Sequence, residues 1–152
     1  MAEAAYKRDG GLAGLATGFK DLDKQLGGLH PSDLLVLAGR PAMGKTALAT
    51  NIAYHVATAH QPDGSRPVVA FFSLEMSAEQ LATRILSENT EISSEKIRRG
   101  ELSSNDFQKL VKSSQELESA LLFIDDTPAI PVSTLRTRAR RLLRPVSYTH
   151  LT

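Results

Sequence analysis

The sequence holds no cysteine among its 152 residues. That excludes disulfides and every thiolate-ligated metal centre, and it fits a reducing compartment. Neither sign of charge dominates: 18 Lys and Arg stand against 17 Asp and Glu, a formal net charge of +1. The chain as a whole is therefore no polybasic binder, and any nucleic-acid contact must come from a local patch. No apolar run approaches the roughly 18 residues of a membrane span. The leading residues Met1-Ala2-Glu3-Ala4-Ala5-Tyr6-Lys7-Arg8 lack the apolar core of a signal peptide. These absences predict a soluble, cytoplasmic protein without a membrane partner. The four histidines, His30, His55, His60 and His150, show no ligand spacing, so no histidine metal site is assigned. What remains is ordinary for a globular chain, with 41% hydrophobic and 23% charged residues.

Against that plain background one motif stands out. Gly39-Arg40-Pro41-Ala42-Met43-Gly44-Lys45-Thr46 spells G-x-x-x-x-G-K-T directly after the apolar run Leu34-Leu35-Val36-Leu37-Ala38. Strand, glycine-framed loop and helix in that order form a triphosphate-binding P-loop. The two glycines let the backbone turn tightly, so that successive N–H groups point into one anion-sized nest. Lys45 brings a compact positive charge to the β- and γ-phosphates, and the Thr46 hydroxyl suits a Mg²⁺ shell. The positive end of the following helix adds to the same field.

The rest of the chain alternates between apolar runs and helical patterns. Gly10, Gly11, Gly14 and Gly18 mark a linker, and a helical turn with Leu22 and Leu26 stops at Gly27-Gly28. Leu34–Ala38 reads as a strand covered on both faces. Leu48, Ile52, Val56 and Ala59 then give a helical stripe, and residues 61–65 a turn. Val68–Phe72 is a second buried strand. Ser77 and Gln80 make a capping box before Leu81, Ile85 and Leu86. Ile97–Gly100 closes a short helix, and Ser103 caps another carrying Phe107, Leu110, Val111 and Leu117. Leu121–Ile124 is a third strand, and a last helix from Ser133 carries Leu135, Ala139, Leu142 and Leu143 on one face. Alternation of this kind predicts an α/β fold, a parallel sheet with helices on both faces and ligands at the carboxyl ends of its strands.

Two carboxylates fall at that edge. Glu75, in Phe72-Ser73-Leu74-Glu75-Met76, is placed to orient or deprotonate a water that attacks a γ-phosphate. A solvated acid favoured by the following helix dipole fits it equally. Asp125 closes its apolar run as a Walker-B aspartate does, and with Asp126-Thr127-Pro128 it also fits a turn. Arg136, Arg138, Arg140, Arg141 and Arg144 put five arginines in nine residues. With no aromatic interleaved to stack bases, a solvated helix face is the simpler reading, and a nucleic-acid or acidic-partner contact the alternative.

These motifs join into a known pattern. Thr17-Gly18-Phe19, Asp21-Leu22-Asp23 and Gly27-Gly28-Leu29 resemble the leading segment of RecA-type ATPase cores. Leu37-Ala38-Gly39-Arg40-Pro41-Ala42-Met43-Gly44-Lys45-Thr46-Ala47 resembles the P-loop of bacterial DnaB-type replicative DNA helicases. Phe72-Ser73-Leu74-Glu75-Met76-Ser77 with Gln80-Leu81 is similar to that family's second motif, and Gly100-Glu101-Leu102-Ser103 and Asp125-Asp126-Thr127-Pro128 match its spacing. The Arg40-Pro41-Ala42-Met43 insert separates the chain from general RecA-type recombinases and circadian-clock ATPases.

The resemblance implies a RecA-like P-loop NTPase core, here truncated, that binds ATP and Mg²⁺. It implies a homo-hexameric ring that couples ATP hydrolysis to translocation on single-stranded DNA and to duplex unwinding. Primase and a helicase loader are the implied partners at replication forks. Residue by residue, Gly39, Arg40, Pro41, Ala42, Met43, Gly44, Lys45 and Thr46 would hold the nucleotide, Thr46 would serve the metal, and Lys45 and Glu75 would be catalytic. The family's Walker-B strand follows the arginine-bearing helix, which draws that role away from Asp125 and puts it, with the sensor residues, DNA loops and arginine finger, beyond this chain. Residues 1–16 then read as a linker remnant, 17–144 as the N-terminal part of the ATPase domain, and 145–152 as a tail of artificial origin. A fragment so divided is expected to be inactive alone, with a sheet edge left open to association. The alternative function is a truncated, non-catalytic nucleotide-binding or interaction module. A small-molecule phosphotransferase is disfavoured, because no substrate lid or acceptor base is recognisable.

Overall fold

The computed structural model describes residues 12–61 and 63–143, which fall into two compact units divided between Pro67 and Val68. The expectations for residues 1–11, for Arg144 and for the tail from Pro145 lie outside the described residues.

In the first unit, Asp21 and Asp23 favour the first turn of helix α1 (Lys20–Leu26), and Gly27 ends it in the left-handed conformation at φ 70°. Asp23 is buried, and its Oδ1 accepts from both the amide and the hydroxyl of Thr17 at 2.7 Å. The Thr17 amide bond is the main reason its carboxyl titrates below the ordinary aspartate range, against the opposing effect of burial. Leu15 and Leu29 bridge antiparallel through paired backbone bonds of 2.9 and 2.8 Å. Gly18 sits at φ +90°, and a Cβ there would lie 2.7 Å from the His55 ring, so the segment can press against α2 (Lys45–Thr58) only as glycine. Asp23→Ala would leave two buried Thr17 donors without their acceptor. The expected cost is about 2–4 kcal/mol, read as a lower denaturation midpoint; an unchanged midpoint would show the anchor to be dispensable.

Helix α2 buries Thr50, Ala53, Val56 and Ala57, and of the expected stripe only Val56 is fully buried. Small residues define this buried face, with Leu48 and Ile52 at its half-exposed margins. The larger difference concerns Leu34–Ala38. Among the described residues this run pairs with no strand, and Leu34 and Val36 are 88% and 82% exposed. A run apolar on both faces becomes a covered strand only when neighbours pair with its edges and helices lie over its sides. The pattern is that of a central strand, and the described residues supply it with no pairing partner.

In the second unit, β1 (Val69–Phe72) and β2 (Leu122–Asp125) pair in parallel, with Phe72 opposite Asp125. Each has one neighbour among the described residues, so both are half-buried where the sequence predicts full burial, and Phe123 is exposed. Three helices connect them. α3 (Ala78–Thr90) starts at the expected capping box, with Ser77 Oγ accepting from the Gln80 amide at 3.2 Å and Gln80 Oε1 accepting from the Ser77 amide at 3.0 Å. Its Leu81 and Ile85 are core residues. α4 (Ser94–Arg99) ends at Gly100, and α5 (Ser104–Ser119) is capped by Ser103; both pack with or beside α3, α5 through a face that buries Ser113. Phe107 and Val111 of the predicted α5 stripe are exposed, because the face toward α3 is set one position away from them. The last helix, α6 (Val132–Leu142), begins one residue before Ser133 and packs on β1; Leu135 and Leu142 are half-buried, while Leu143 lies beyond its end and is exposed.

Candidate functional site

The G-x-x-x-x-G-K-T loop and the helix after it lie in the first unit, without the strand expected before the loop. Gly44 sits at φ 83° and is the residue from which α2 springs. Nothing lies within 4 Å of a Cβ built on it, so glycine is required there by backbone conformation and not by crowding. Ala42 also takes a left-handed conformation, at φ 61°, the kind of local strain that collects in ligand-clamping loops. Lys45 Nζ arches over the loop and donates to the Gly39 and Arg40 carbonyls at 3.0 and 3.1 Å. Thr46 lies half-buried in the first turn, where the helix amides lack intrahelical acceptors. Gly39, Arg40, Met43, Gly44, Lys45, Leu37, Ala38 and Leu48 line a cavity of about 500 Å³. That lining carries two cations and no carboxylate, a donor set suited to a polyanion and unsuited to a bare metal ion. Six of the eight expected nucleotide residues, Gly39 to Gly44, thus lie on one loop at one helix end; Lys45 and Thr46 open the helix.

Glu75 belongs to the second unit, in the turn that leaves the carboxyl end of β1. The turn is held by its own residues: Ser73 Oγ donates to the Met76 carbonyl at 2.6 Å and accepts from the Met76 amide at 3.1 Å. Glu75 itself is exposed and lines a groove with Met76, Thr83, Arg84 and Arg98. Lys45 and Glu75, the two expected catalytic residues, are on separate compact units.

Asp125 emerges from β2 at the same sheet edge as the Glu75 turn, as the register requires. Its Oδ2 accepts from Arg138 Nη1, and its Oδ1 from the Thr127 amide at 3.1 Å. Arg138 also donates to Thr127 Oγ1 at 2.7 Å. The Arg138 guanidinium, helped by the two Thr127 bonds, holds the Asp125 carboxyl down at about 2. Both oxygens accept from protein donors, which makes Asp125 the tie between β2 and α6. Arg138 is correspondingly not part of a solvated basic face, whereas Arg136, Arg140 and Arg141 are exposed. Two features here were invisible to sequence reasoning, the Arg138 tie and a bond from Asp126 to α3. Neither has a spacing signature; both depend on strand register.

The DnaB-like helicase C-terminal domain family matches residues 14–151. The chain belongs to this family. The replicative DNA helicase DnaB of Rickettsia prowazekii is 47% identical over 145 residues, 92% of this chain and 30% of that protein. The replicative DNA helicase DnaC of Bacillus subtilis is 44% identical over 140 residues, again 92% of the chain and 30% of the relative. The chain therefore spans about a third of the curated relatives it matches. A solved DnaB-like replicative helicase, described with its interactions with primase, superposes with a TM-score of 0.82 at 28% identity, covering 94% of this chain and 34% of that one. The DnaB-like fold class, α/β with parallel strands and RecA-like, is thereby established, and a helicase family is a nucleotide-using one. Among the described residues no helix is long and apolar enough to cross a membrane.

Proposed function

We propose that this chain is the nucleotide-binding part of a replicative DNA helicase motor, which in the full-length parent couples ATP hydrolysis to movement on single-stranded DNA and to duplex unwinding. The observation that carries the reading is the P-loop itself: a Gly39–Gly44 frame, Lys45 Nζ bonded across its mouth, and a carboxylate-free cavity at the start of α2. When bound, ATP would supply the phosphoryl group that passes to water, and Mg²⁺ would supply charge neutralisation for that transfer. Loop amides and Lys45 would hold the phosphates in line, and Thr46 would complete the metal's shell. Glu75 would orient the attacking water and take its proton. Phosphoryl transfer asks little else of a protein than this positioning and charge neutralisation.

The parent is proposed to work in the cytoplasm as a homo-hexamer, with single-stranded DNA, primase and a helicase loader as partners. The solved neighbour described with primase supports the primase partner. For these residues taken alone a second reading, a nucleotide-binding or interaction module without turnover, is favoured by the exposed Leu34–Ala38 run. The test is titration of this chain with a non-hydrolysable ATP analogue. Saturable binding that weakens when Mg²⁺ is withheld is expected; absence of binding with Mg²⁺ present contradicts the reading.

A further inference from the structure

The turn between β1 and α3 is pinned at both ends, by Asp125, the last residue of the neighbouring strand β2, and by Asp126, which follows it. At its start the Ser73 amide donates to the Asp125 carbonyl at 2.9 Å, continuing the parallel ladder. At its far side the Ala78 amide donates to Asp126 Oδ2 at 2.8 Å, across 48 residues of sequence. Glu75 lies midway between these pins. The side chain of Asp125 is spent on Arg138 and Thr127, so the carboxylate that reaches the turn is that of Asp126. The capping box of α3 serves the amides of Ser77 and Gln80 and leaves the Ala78 amide, another orphan donor of the helix start, to Asp126, an acceptor from outside the helix. What the long-range bond adds is a fixed position of the helix start relative to β2.

We propose that Asp126 is a positioning residue, which holds the Glu75 turn against the end of β2 so that the Glu75 carboxylate is presented in one place. The proposal rests on Glu75 being the water-activating carboxylate. A general base works only within hydrogen-bond reach of its proton, and a displacement of about 1 Å can cost roughly 10²-fold. Glu75 is exposed, and these two bonds supply from outside the turn a restraint that burial does not provide.

The experiment is steady-state ATP turnover by the full-length parent, with two substitutions that break the same bond from opposite ends. Asp126→Ala removes the acceptor. Ala78→Pro removes the donor at the first helical position, where proline is tolerated, and Ser77 before it already has φ −69° and ψ 159° as a residue preceding proline requires. Both are expected to lower kcat by roughly 10- to 100-fold while KM for ATP stays within about twofold. Asp126→Asn, which keeps an oxygen toward Ala78, is expected to recover most of the rate. Unchanged kcat in either folded variant overturns the proposal, and so does a joint loss of kcat and ATP affinity, the mark of a merely structural bond. If Asp126→Ala does not fold, Ala78→Pro decides alone. Glu75→Gln, assayed beside them, separates the two levels: full turnover there means the reading of Glu75 has failed, whereas an inactive Glu75→Gln with a fully active Asp126→Ala means only the positioning role has.

Discussion

Lys45→Ala is expected to reduce ATP turnover by the full-length parent at least about 10²- to 10³-fold and to weaken binding of the ATP analogue by this chain. The lysine is the loop's compact point charge, set among backbone amides with Arg40 as the second cation of the cavity lining. Its Nζ bonds to the Gly39 and Arg40 carbonyls show that the ammonium reaches the mouth of the loop, where β- and γ-phosphates would lie. Lys45→Arg should be nearly as damaging, because a planar guanidinium does not fit where a compact ammonium bridges two carbonyls. Full turnover in Lys45→Ala would remove the P-loop from the chemistry.

Glu75→Gln should separate chemistry from binding. The substitution keeps shape and takes away the base, so kcat is expected to fall by roughly 10²- to 10⁴-fold with analogue affinity unchanged. Stability should hold as well, since the bonds that shape the turn run through Ser73, Met76, Asp125 and Asp126 and not through the Glu75 side chain. Steady-state kinetics of the parent and analogue titration together check this. A parallel loss of affinity would assign Glu75 to nucleotide binding, and an unchanged kcat would return it to the solvated acid that sequence physics equally allows.

Features encoded within a few residues were legible in the sequence. The Gly44 turn into α2, the Ser77 and Gln80 capping box, the glycine stops at Gly27 and Gly100 and the Leu81 and Ile85 core positions all appear where local pattern puts them. Local pattern could not say what covers an element. Leu34–Ala38 has the composition of a central strand, yet composition records the environment a segment suits and not the partners present. Phe107 and Val111 fail for a related reason: a helix with several apolar positions shows its buried face only once its neighbour is known. Asp125 and Asp126 look alike in sequence and do different work in the fold. One is tied to Arg138 thirteen residues on, the other to an amide 48 residues back, and only the Phe72–Asp125 register brings those groups together.

The central claim is that the P-loop of this chain belongs to a DNA-driven motor, and it is tested most directly by the ATPase rate of the full-length parent with and without single-stranded DNA at saturating Mg²⁺ and ATP. A motor is predicted to turn over faster on single-stranded DNA, with the stimulation abolished by Lys45→Ala. A rate indifferent to DNA would contradict the account and leave a nucleotide-binding module in its place.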